Sequence, residues 1–172
     1  GDHGTDRPWR TADGEEEGLW PGARQDKQGH QGQRGRLGDW SRGETVKGYC
    51  DASNDGETAA VLACLGGDVA HHVNEGQVRV GKDKFRAFCD HMSRCYREEL
   101  TDMVIFEAEK GTRAAAEYVV NGIYLQTDEG LPEAEGQSYR LPAGSFFSLK
   151  DGLITRVVTY YNLADWTRQV SQ

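Results

Sequence analysis

Long apolar runs are missing from this 172-residue chain. No stretch approaches the ~18 apolar residues that a membrane span needs, so no membrane partner is expected. Positive charge is in deficit: 28 Asp and Glu stand against 20 Lys and Arg, a formal net charge of -8. That balance argues against nucleic acid or an anionic membrane surface as a partner. Cysteine is sparse, and Cys50, Cys64, Cys89 and Cys95 form no C-x-x-C pair and no spacing of the zinc type. Each falls in a segment of helical pattern, on or near its apolar face. Reduced, buried thiols in a cytoplasmic protein are therefore expected. The N-terminus has no basic start followed by an apolar core, so no secretory signal is expected. An initiating Met is also missing, as in a processed or partial product.

Residues 1–42 lack Val, Ile, Met, Phe, Tyr and Cys altogether, while Gly, Arg, Asp, Glu and Gln dominate. Such a segment cannot bury enough apolar surface to offset its ordering entropy, so it reads as disordered. Trp9, Trp20 and Trp40 are out of place there. They fit either a partner-binding tail or a read-through or non-native extension. Residues 43–172 form the single folded domain.

In that domain, "ETVKGYCDASNDGE" carries Val46, Tyr49 and Cys50 at helical spacing and ends at Asn54 and Gly56. "TAAVLACL" reads as a second short helix, broken by Gly66 and Gly67. The valines of "DVAHHVNEG" suggest a short strand. A third helix has a continuous stripe of Phe85, Phe88, Cys89, Met92, Cys95 and Tyr96; His91, on its polar side, reads as solvated. Strands follow: "LTDMVIFEAE", "RAAAEYVVNGIYLQT", "YRLPAGSFFSL" and "LITRVVTYYNL", with "EKGT" and "KDG" as hairpin turns. The acidic "DEGLPEAEGQS" could cover one end, and "ADWTRQV" closes the chain as a short helix. The order predicts an α+β domain with the third helix packed on a curved antiparallel sheet.

Neither face of "AAAEYVVNGIY" is freely polar, so both are expected to be covered. Glu117 and Asn121 share one of them and there need partners or water. A polar-tipped ligand cavity would supply these. The alternatives are a satisfied internal hydrogen bond or a strand nearer the sheet edge.

The segments "GKDKFRAF", "RCYRE", "GTRAAAEYVVNG", "TDEGLPEAEGQSYRLPAGSFF" and "YYNLADW" resemble the SnoaL-like, or nuclear-transport-factor-2-like, superfamily, in its branch of ketosteroid isomerase-related proteins. The resemblance spans about residues 43–170. It implies a cone-shaped curved antiparallel sheet wrapped around N-terminal helices, with dimers common. Ketosteroid isomerases use a base plus two oxyanion donors, a Tyr and a protonated Asp. Their Tyr lies five residues before an Asn-x-Gly-acid turn. Tyr49 stands in that relation to Asn54, Gly56 and Glu57. Their base lies nine residues before the glycine opening the third helix, and counting back from Gly81 gives His72. The acidic donor would precede "FFSLKDG", where this chain has Gly144 and Ser145. A related aspartate at the end of the last strand falls at Asn162.

The resemblance thus implies His72 as base and Tyr49 as oxyanion donor. Asn74, Glu117, Asn121, Tyr160 and Asn162 are the candidate ligand-binding residues. His71 and His72 are adjacent in a strand and should point to opposite faces, so they are not expected to share a metal. No metal or organic cofactor is expected. The function read here is a small hydrophobic ligand bound in a conical pocket, with proton transfer (isomerisation) on a carbonyl compound as the enzymatic form. The alternative is a non-catalytic ligand-binding or dimerisation module. A cyclase or hydrolase of the same family is the less favoured enzyme, and a homodimer is the expected assembly.

Overall fold

The computed structural model describes residues 42–74 and 76–172, with side chains from residue 44 onward. The expectation for residues 1–42 lies outside them, save that Arg42 begins the first helix. In chain order the elements are α1 (Arg42–Asn54), α2 (Thr58–Ala63), β1 (Leu65–Val73), β2 (Arg79–Val80), α3 (Lys82–Cys95), β3 (Tyr96–Ala108), β4 (Arg113–Tyr124), β5 (Ser138–Lys150), β6 (Leu153–Tyr161) and α4 (Leu163–Val170). The strands form one curved, unclosed sheet in the order β2-β1-β6-β5-β4-β3. The fold is the α+β class expected.

Two details differ from the sequence reading. β1 runs parallel to β6, with His71 opposite Val157 and Val73 opposite Thr159, so the sheet is mixed. That pairing joins segments more than 80 residues apart, a distance at which local pattern is silent. β3 begins at Tyr96, directly after α3, rather than at Leu100. The apolar stripe therefore runs off the helix end, and Tyr96 belongs to the strand.

Turn chemistry sets the hairpins. Asp151 and Gly152 both take positive φ (52° and 75°) between the paired Lys150 and Leu153, the two-residue turn that suits strand twist. At the other edge, Asn54 at the end of α1 exchanges two hydrogen bonds with the Leu100 backbone: Nδ2 to O at 3.0 Å, and Leu100 N to Oδ1 at 2.7 Å. The exposed edge of β3 is thereby tied to the first helix.

The core lies between the concave face of the sheet and α1–α3. Val46, Leu65, Val69, Phe85, Phe147, Ile154 and Val157 are almost wholly buried there. At the other end α4 seats Trp166 edge-on against Tyr96, Tyr124 and Tyr139. Asn162 caps α4 by accepting from Asp165 N at 3.0 Å.

Candidate functional site

A cavity of about 730 Å³ opens into the cone, walled by α1, α3 and the concave faces of β3–β6. Strand parity decides which side chains reach it. On β4 the inward set is Ala116, Tyr118 and Val120; on β5 it is Ala143, Ser145 and Phe147; on β6, Val157, Thr159 and Tyr161. On β1, Val69 and His71 are inward and buried, at 0% and 3% exposure.

His71 is the chemically distinctive group of this wall. Its ring packs 4.5 Å from both Phe85 and Phe88. Its Nδ1 is buried with no hydrogen-bond partner. Burial in this aromatic setting, helped by Arg79 and His72 nearby, lowers its pKa to about 4. The imidazole is therefore neutral at physiological pH and keeps a lone pair free.

Beside it lies a chain of hydroxyls. Ser145 Oγ is 2.8 Å from Tyr118 Oη and 2.8 Å from Thr159 Oγ1. Val73, two residues along from His71, sits directly opposite Thr159. By strand spacing and rise, His71 and Thr159 are roughly 8 Å apart at Cα, the reach of a small substrate. Tyr49 also lines the cavity, edge-on to Phe85 and Phe147. Burial holds its phenol well above the ordinary range, so it remains a donor. Glu98 completes the lining: Tyr139 Oη donates to its Oε1 at 2.6 Å, and burial raises its pKa. Gly122 makes room for that pair, because a Cβ there would fall within the Tyr139 ring.

The other sequence-derived candidates lie elsewhere. His72 is on the opposite face of β1 from His71, and so does not line the cavity. Val69 and His71 alternate onto the inward face of β1, which leaves His72 on the other. Asn74 takes a left-handed φ of 51° and spends its Oδ1 on Tyr161 N at 2.8 Å. Glu117 is exposed on the outer face of β4. Asn121, on the same face, donates to Thr101 Oγ1 at 2.9 Å, where β3 changes register. Tyr160 is 49% exposed and packs on Phe146, 6.0 Å away. Asn162 is the cap of α4. Tyr49 alone of the seven reaches the cavity; Glu117 and Asn121 do not, because the covered face of β4 is its even-numbered one. Alternation with the buried aromatics Tyr118 and Tyr124 was the available signal for that choice.

The SnoaL-like domain family matches residues 46–157. The chain belongs to this family. Among solved structures, it is 69% identical to a candidate polyketide cyclase from Silicibacter sp. TM1040, with a TM-score of 0.75 over 77% of this chain and 96% of that one. A second candidate polyketide cyclase, from Pseudomonas putida KT2440, is 50% identical, with a TM-score of 0.75 over 77% and 99%. A protein of ketosteroid isomerase-like fold from Catenulispora acidiphila, complexed with trimethylamine, is 17% identical, with a TM-score of 0.61 over 74% and 92%. It shows a shared fold, as do nuclear-transport-factor-2-like proteins. No curated protein matches the chain. Among the described residues no helix is long and apolar enough to cross a membrane.

Proposed function

We propose that this SnoaL-like domain binds a small, largely apolar carbonyl compound in the cone and catalyses proton transfer at the carbon beside its carbonyl. The observation that carries the reading is His71, a neutral imidazole with a buried, unpartnered nitrogen on an aromatic wall. The base is thus His71, one residue before the position implied by resemblance. Its depressed pKa of about 4 is close to the ~4.6 of the aspartate base in ketosteroid isomerases, so low basicity is no bar.

In the first step His71 takes the α-proton, the C–H bond breaks, and its electron pair moves onto the carbonyl oxygen. Tyr49 and the Tyr118–Ser145–Thr159 hydroxyls stabilise the resulting enolate by hydrogen bonding. Returning the proton at another carbon completes an isomerisation. Attack of the enolate carbon on a second carbonyl gives a ring, and the new alkoxide takes the proton back from His71, which restores the neutral base. The two relatives named as candidate polyketide cyclases favour the cyclising outcome.

The same burial favours a second reading, non-catalytic binding, since a desolvated imidazole is a weak base. Deuterium exchange into a β,γ-unsaturated cyclic ketone in D₂O, followed by NMR, separates them. Wild type should exceed buffer, and His71→Gln should lose about 10²- to 10⁴-fold. A ketone that binds without any exchange above buffer would leave the binding module.

The outer face of the sheet supports a homodimer. Val104 and Phe106 on β3, Phe146 on β5 and Tyr160 on β6 expose 46–54% of their surface on that face. A second copy covering them is the proposed assembly, and sedimentation velocity of wild type against Phe146→Glu tests it.

A further inference from the structure

We propose that His91, Cys95 and Asp128 form a binding site for a divalent transition metal, zinc by its ligand chemistry. His91 and Cys95 are four residues apart on α3, so their side chains share one face of the helix. Asp128 comes to them from the connection between β4 and β5. Their ligand atoms all lie within 4.8 Å of one another. His91 Nε2 is 3.0 Å from Asp128 Oδ1 and 4.0 Å from Cys95 Sγ.

The choice of nitrogen matters. A Cys-His-Asp proton relay uses one imidazole nitrogen for the thiol and the other for the carboxylate. Here the thiol and the carboxylate both converge on Nε2, as ligands do around a common ion. Asp128 is also held in place beforehand. Tyr96 Oη donates to its free Oδ2 at 2.6 Å, and its backbone N donates to Tyr124 Oη at 2.9 Å. Tyr96 and Tyr124 are themselves stacked, 5.4 Å apart and 11° from parallel. Such support of a ligating carboxylate by outer hydrogen bonds is what tuned metal sites use.

A thiolate, an imidazole and a carboxylate make a borderline-soft set that suits Zn²⁺ and disfavours Mg²⁺ or Ca²⁺. Bond lengths of ~2.0–2.3 Å require Cys95 Sγ to close in by about 1 Å, within the reach of a side-chain adjustment. Three protein ligands leave a fourth position for water or a ligand oxygen. His91 and Asp128 line the cavity, so that position lies at its rim. The inference is independent of proton transfer by His71.

Cobalt(II) titration of the full chain under reducing conditions tests it. The expected result is one equivalent of Co²⁺ giving tetrahedral visible bands plus a thiolate-to-cobalt charge-transfer band, both displaced by Zn²⁺. Cys95→Ser should abolish the charge-transfer band, while Cys64→Ser keeps it. Tyr96→Phe should keep the band and weaken affinity about 10- to 100-fold. If Cys95→Ser fails to fold, the loss of tight binding in His91→Gln serves the same purpose, because that ring is partly exposed. Cobalt binding without a thiolate band, no binding at all, or a band that survives both Cys95→Ser and His91→Gln would overturn the site.

Discussion

Along β4 the side chains alternate between two surroundings: Ala116, Tyr118 and Val120 face the cone and are buried, while Ala115, Glu117 and Val119 face outward and remain partly or fully open. β1 repeats the division, with His71 packed between two phenylalanines and His72 on the outer side. The strand registers place His72, Val158, Phe146, Ala115 and Phe106 in one row across the sheet. Residue type alone does not mark the face that lines the cavity. The polar residues that drew attention, Glu117 and Asn121, are outward, while the groups that line the cavity look like core: Tyr118, Ser145 and one histidine of two.

The two histidines, replaced separately, should behave differently. His71→Gln should remove about 10²- to 10⁴-fold of ketone exchange activity, whereas His72→Gln should stay within about twofold. Equal losses would erase the distinction between the faces.

Stability against pH should follow the same residue. His71 has its pKa lowered in the folded chain to about 4, from the usual ~6.5. Between these values the unfolded chain takes up a proton that the folded chain refuses. Stability should therefore fall as pH drops from ~6.5 towards 4, then level off, by up to about 3 kcal/mol. Urea unfolding of His71→Phe should lack that slope.

A smaller contrast comes from β4 itself. Gly122→Ala forces the Tyr139 ring off its seat and should cost about 1–3 kcal/mol, together with the Glu98 hydrogen bond. Glu117→Ala, on the open face, should change stability by no more than about 0.5 kcal/mol. Chemical denaturation measures both.

The helices, hairpins and fold class were legible because they rest on local signals: the stripe from Phe85 to Cys95, the Asp151-Gly152 turn, and the Asn54 stop. What was hidden is non-local. The parallel pairing of β1 with β6 sets His71 opposite Val157, and that partner strand lies more than 80 residues away. Asn74 and Asn162 are polar because a turn and a helix cap need them, and sequence alone does not separate that from ligand binding. His91 reads as solvated on its helix. Only the return of the β4–β5 connection brings Asp128 to it, which is also why no zinc-type spacing is visible in the sequence.

His71 is proposed as the neutral, ligand-facing group of the cone. Histidine-resolved NMR of the full chain, titrated in pH and then with a cyclic ketone, tests it most directly. His71 should stay unprotonated down to about pH 4, and its resonances should shift on ketone binding while those of His72 do not. A His71 midpoint near the ordinary ~6.5, or a bound ketone that leaves His71 unshifted, would contradict it.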